Sequence, residues 1–167
     1  MSPPNRIRKV VVSGTPSDSH TWNLVFLQLY LEELGHRVVN LGPCVPAELL
    51  AAECAAHTPD LLVLSSVNGH GYRDGLTAVT RLRQRPELAG LAVVIGGKLG
   101  VVGHRDRTAA IALREAGCLD VFDDTDLDRL RLLIDQLPAA RPQSAVPAPD
   151  LPTPDARVLA EAGRVHT

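Results

Sequence analysis

Aromatic residues are scarce in this chain: one Trp, two Tyr and two Phe, 3% of 167 residues. A core built from such a sequence has to be aliphatic, and the 45% hydrophobic content supplies enough Leu, Val, Ile and Ala to build one. Cysteine is sparse too. Cys44, Cys54 and Cys118 are odd in number, widely separated and outside metal-ligand spacing, which reads as reduced thiols in a cytoplasmic protein. No basic cluster exists, and the net charge is −2, so no electrostatic footprint points to nucleic acid or to a membrane surface. The longest apolar runs fall far short of a membrane span. The start, Met1 to Arg6, lacks the apolar stretch of a signal peptide and reads as a short N-terminal extension.

What is present is an alternation of strand and helix signals. Apolar, β-branched runs predict strands over Ile7–Ser13, Arg37–Leu41, Asp60–Ser66, Leu91–Ile95 and Val121-Phe122. Between and after them, helices are predicted over Trp22–Leu34, Pro46–His57, Tyr72–Arg85, Thr108–Ala116 and Asp126–Leu137. Gly35, Thr58-Pro59, Pro86 and Gly117 supply the stops, and Thr125 or Asp124 is placed to cap the last helix. Trp22 reads as an anchor of the first helix in the core. Strands apolar on both faces, each followed by a helix, predict an α/β fold with a parallel sheet covered on both sides. Right-handed crossovers narrow this to a flavodoxin-like, doubly wound five-stranded arrangement. The domain should run over residues 7–137. Residues 138–167 hold 6 of the 13 prolines and no apolar periodicity, and read as a Pro/Ala-rich tail with one short helical pattern at Asp155–Ala162.

In an open parallel sheet, ligands bind outside the carboxyl ends of the strands. Three strand exits carry unusual residues: Ser17-Asp18-Ser19-His20-Thr21, Ser65-Ser66-Val67-Asn68-Gly69-His70-Gly71, and Gly96-Gly97-Lys98-Leu99-Gly100. Small residues there leave room for a ligand between strands. Spacing alone leaves His20 with two readings. It is a metal ligand whose second ring nitrogen is held by Asp18, or a solvated loop histidine with Asp18 capping the helix. No second ligand follows at zinc-site spacing, so a lone imidazole suits a metal that arrives already coordinated, as in a macrocycle. The first loop matches neither dinucleotide nor Walker phosphate patterns, and no nucleophile elbow is present. His70 and Lys98 read as rim residues, Lys98 within reach of an amide or a phosphate. His36, His57, His104 and His166 read as neutral bystanders.

Taken together the three exits resemble the cobalamin-binding domain family, whose pattern is D-x-H-x-x-G, then S-x-L, then G-G. Within it, the chain is similar to the small subunits of the glutamate (methylaspartate) mutase kind. Asp18-Ser19-His20 matches the first motif, Ser65-Ser66-Val67 stands at the second and Gly96-Gly97 at the third. Val39-Asn40-Leu41-Gly42 and Val102-Gly103 agree as well, and the likeness covers about residues 7–137. It implies cobalamin bound with its dimethylbenzimidazole tail off the cobalt, His20 as the lower axial cobalt ligand, and Asp18 tuning that histidine. The tail would run past Ser65, Val67, Gly96 and Gly97. The implied cofactor is adenosylcobalamin, whose cobalt–carbon homolysis starts a radical rearrangement. The implied partner is a barrel-type catalytic large subunit, in a heterotetramer of two small and two large chains. By itself the chain would then bind cofactor and turn nothing over. A free-standing cobalamin carrier or sensor is the alternative. A methyl-transfer corrinoid protein is disfavoured by the absence of a helical bundle ahead of the first strand. A receiver domain is disfavoured by Ser65 where that fold needs an Asp. Two departures stand out: Asn23 replaces the family's Gly, as a polar residue in a slightly wider slot, and Val67 replaces its Leu.

Overall fold

The computed structural model describes residues 6–100, 103–122 and 126–138. It is a five-stranded parallel sheet in the order β2-β1-β3-β4-β5. The strands are β1 (Lys9–Gly14), β2 (Arg37–Asn40), β3 (Leu61–Ser65), β4 (Ala92–Gly96) and β5 (Asp120–Phe122). They alternate with α1 (Trp22–Glu33), α2 (Ala47–His57), α3 (Gly71–Arg83), α4 (Gly103–Glu115) and α5 (Leu127–Gln136). A 3₁₀ turn, Pro86–Leu88, precedes β4. This is the flavodoxin-like order expected from the sequence, with β1 and β3 at the centre.

Every residue of β3 is buried, as are the last five residues of β1. The sheet therefore carries two aliphatic cores. On one face Val11, Leu62, Leu64, Val93 and Ile95 pack with Leu50, Val79, Leu82 and Leu113 from α2, α3 and α4. On the other, Val10, Val12, Leu61, Val63 and Val94 pack with Leu24 and Leu31 of α1 and Leu130 and Ile134 of α5. The alternation along each strand assigns neighbouring residues to opposite faces. Cys54 and Cys118 belong to this packing; burial pushes their thiols up to about 12 and about 11, so neither ionises at neutral pH.

Several boundaries differ from expectation. The first strand begins at Lys9 because Ile7 is largely exposed. The fourth helix begins at Gly103, five residues before Thr108; its first turn is polar and carries no apolar signal. Asp126 occupies the N-cap position of α5 without a side-chain bond, and Thr125 and Asp124 lie outside the described residues, as do His166 and Asp155–Ala162. Trp22 does not anchor α1 in the core. It is 63% exposed, and the helix is held instead by Asn23, Leu24 and Leu31.

The amino edge of the sheet is tied by two arginines. Arg83 donates to the carbonyls of Leu88, Leu91 and Gly117 at 2.7–2.8 Å. Gly117 has φ +110, and a Cβ there would lie 2.6 Å from the Arg83 Nε. Arg8 donates to the carbonyls of Leu137 and Pro138, and its own N–H donates to His36 Nδ1 at 3.3 Å. His36 is thus a buried structural acceptor rather than a bystander. Burial pushes its imidazole below the ordinary value, with Asp135 and Asp60 opposing and Arg8 assisting.

Candidate functional site

At the carboxyl edge, the loops after β1, β3 and β4 meet around one carboxylate. Asp18 is 1% exposed. Its Oδ1 accepts from the His20 backbone N–H at 3.0 Å and faces His20 Nδ1 at 2.6 Å. Its Oδ2 accepts from the Val67 N–H at 2.5 Å, across to the β3 exit. Burial raises the Asp18 carboxyl, but the Val67 and His20 donors outweigh it and hold the group below its ordinary value. Asp18 does not cap α1: Thr21 stands at the N-cap position, with no side-chain bond. The capping role that one of the two readings gave Asp18 is therefore not seen, while the histidine of that reading is, as it expected, partly open to solvent. The His20 ring is about half exposed, and Nδ1 is engaged, which leaves Nε2 as its remaining nitrogen.

The other expected residues fall around this pair. Ser17 Oγ donates to Asp74 Oδ2 at 2.5 Å, while Asn68 Nδ2 donates to the Ser17 carbonyl at 2.9 Å. Ser19 and Thr21 are exposed on the loop. Ser65 and Ser66 are buried, and the Ser66 N–H donates to the Gly96 carbonyl at 3.1 Å. The Gly69 N–H donates to the Lys98 carbonyl at 3.2 Å, so the β3 and β4 exits run side by side. Gly97 has φ +105, and a Cβ would sit 2.3 Å from the Ser66 carbonyl oxygen. Its glycine is required by the turn and by Ser66. Leu99 is buried against Gly71, whose Cβ would meet the Leu99 Cδ2 at 2.6 Å. Gly96 and Gly100 are half-buried; Lys98 and His70 are exposed on the rim.

Asn23 makes a contact that the sequence did not announce. It is buried, and its Nδ2 donates to Ser65 Oγ at 2.7 Å, joining the first turn of α1 to the end of β3. Sequence reading also missed Cys44, whose N–H donates to the Asp18 carbonyl at 3.0 Å, and Asp74. Neither carries a local signal, because Cys44 reaches the site from the loop after β2 and Asp74 from the first turn of α3. Asn68 was legible only as one residue of the exit segment after β3.

The site offers a ligand unpaired polar atoms and one imidazole held by a carboxylate. Two buried polar oxygens, Thr15 Oγ1 and Asn23 Oδ1, have no hydrogen-bond partner. Buried polar atoms are normally paired, and such orphans mark where a partner belongs. The donor set agrees: one imidazole is oriented by a carboxylate, and no group of three or more His, Cys, Asp or Glu able to hold a bare ion occurs among the described residues. A doubly wound sheet with a single oriented imidazole at its carboxyl edge has the chemistry of a domain that receives a metal already held by a macrocycle. The chain belongs to the B12-binding domain family, whose model matches residues 8–121.

Its relatives differ in role. The HTH-type transcriptional repressor CarH of Myxococcus xanthus is 38% identical over 96 residues, 58% of this chain but about a third (32%) of that protein. The glutamate mutase sigma subunit of Halobacterium salinarum is 30% identical over 115 residues, 68% of this chain and 74% of that one. Among solved structures, a cobalamin-binding protein from Desulfitobacterium hafniense superposes with a TM-score of 0.58 at 23% identity, covering 77% of this chain and 58% of that chain. No helix among the described residues is long and apolar enough to cross a membrane.

Proposed function

We propose that this chain is the cofactor-binding subunit of a two-component adenosylcobalamin-dependent mutase resembling glutamate mutase. His20 Nε2 would serve as the lower axial ligand of cobalt. The observation that carries this is the Asp18 carboxylate, which faces His20 Nδ1 with one oxygen and accepts the Val67 N–H with the other. That double tie would hold the ring's tautomer and heading. The orphaned oxygens of Asn23 and Thr15 and the neighbouring Ser65 would receive the detached tail. Gly96, Lys98 and Gly100 would border the corrin, and Ser17, Ser19, Thr21, Ser66 and Gly97 would hold the loops in place around it. The chemistry such a cofactor supplies when bound is generation of a carbon radical. The chain's own residues bind and orient; substrate groups would come from a barrel-type large subunit.

A second reading, a carrier or sensor module acting with another partner, is favoured by the 38% identity to a transcriptional repressor. Both readings share the corrinoid site. Titrating the chain with adenosylcobalamin and recording the visible spectrum tests it: a shift to the histidine-ligated, base-off form is expected, and its persistence in His20→Ala would overturn the assignment. Mixing the loaded chain with a mutase large subunit then separates the readings, since only the first predicts turnover.

A further inference from the structure

Helix α1 presents a row of large apolar side chains to solvent. Trp22 is 63% exposed, Val25 49%, Phe26 50% and Leu29 60%. Their spacing of i, i+3, i+4, i+7 puts them on one stripe, opposite the Leu24 and Leu31 side that packs on the sheet. Phe26 stacks with Tyr30, ring centroids 6.5 Å apart. Scattered apolar residues on a surface need no explanation, but a contiguous row marks a contact surface.

The path of the chain indicates what covers it. Arg8 holds the Pro138 carbonyl with one nitrogen of its guanidinium and His36 with its backbone N–H. His36 lies three residues beyond α1. Pro138, the last described residue, therefore lies near the C-terminal end of the very helix that carries the stripe. Twelve residues of α1 extend about 18 Å. Residues 139–154, rich in Pro and Ala, reach about 50 Å at about 3.1 Å per residue, enough to lie anywhere along the helix. Beyond them the sequence changes character: Val158, Leu159, Ala162 and Val165 share one face of a helical repeat, with Arg157, Glu161 and Arg164 off it, after a Pro154-Asp155 start signal.

We propose that residues 155–165 dock as an amphipathic segment on the α1 stripe, with Val158, Leu159 and Val165 against Trp22, Phe26 and Leu29. One end of the covered stripe, Trp22, is two residues from His20, so the tail touches the helix that carries the site loop. The inference does not depend on which partner the domain serves.

Trp22 is the chain's one tryptophan and reports its own cover. The test compares the full chain with Val158→Asp/Leu159→Asp, without corrinoid, by emission maximum and acrylamide quenching. These positions lie outside the sheet and its helices, and circular dichroism checks that the fold is intact. Expected are a blue-shifted emission in the unaltered chain and quenching at least two-fold weaker than in the variant, both independent of protein concentration. Identical, red-shifted emission from the two chains would overturn the proposal by showing the stripe bare. A shift that grows with protein concentration and survives the tail substitutions would overturn it in favour of a second copy of the chain.

Discussion

Asn23 and Ser65 are joined by a 2.7 Å hydrogen bond that closes the first turn of α1 onto the end of β3. On the proposed reading the cofactor's tail must pass this point, so the bond acts as a latch. Breaking one net hydrogen bond costs about 1 kcal/mol, roughly five-fold in rate. Asn23→Gly should therefore load cobalamin about five-fold faster in stopped-flow absorbance. An unchanged association rate would take Asn23 out of the tail's path.

Asp18 is the joint on which the site turns. Replacing it with Asn leaves one acceptor oxygen where three donors converge, and sets an N–H against an N–H. A loss of about 2–3 kcal/mol of stability is expected by urea denaturation, as for charged hydrogen bonds. The pH dependence has a definite sign. The folded carboxyl lies below its ordinary 3.8, so its stabilising contribution is full above that value and fades as pH falls through the depressed folded value. Asp18→Asn should lose this acid limb, and an acid titration by circular dichroism with identical slopes would contradict it.

His36 gives the opposite edge its own pH response. Its folded imidazole titrates below 6.5, so the unfolded chain binds the extra proton first. Stability is full above about pH 6.5 and declines as pH falls from there toward the folded value. Thermal melts between pH 7.5 and 5.5 should show this fall, and His36→Gln should flatten it. Equal slopes in both chains would assign the response elsewhere.

Gly97→Ala places a methyl 2.3 Å from a backbone carbonyl at a φ that L-residues rarely adopt. Backbone cannot yield as a flexible side chain does, so a cost of about 3 kcal/mol or more is expected. A melt within a degree or two of the unaltered chain would show that this turn can relax.

The sheet was legible because β1, β3 and β4 centre on short aliphatic runs that alternate with longer helix patterns, as strands buried on both faces of a parallel sheet do. The Asp18–His20 pair was legible because both partners lie two residues apart. What escaped detection was long-range. Val67 reaches Asp18 through its backbone N–H, which no side-chain pattern records, and Asp74 arrives from a helix 57 positions along the chain from Ser17. Trp22 misled because hydrophobic periodicity marks an apolar side without saying which side meets the sheet, and α1 is apolar on both.

Arg83 divides the molecule mechanically. Its guanidinium gathers three carbonyls from the turn before β4 and the turn before β5, all at the amino edge. Those connections are clamped by an ion that keeps its charge across the accessible pH range. At the carboxyl edge, the loops are joined instead by hydrogen bonds spread over many residues, among them Asp18, Val67, Ser17, Asn68 and Asp74. Deformation on loading should therefore spread through the upper loops and stop short of the lower turns, as in a vice whose jaws move while its bed stays still.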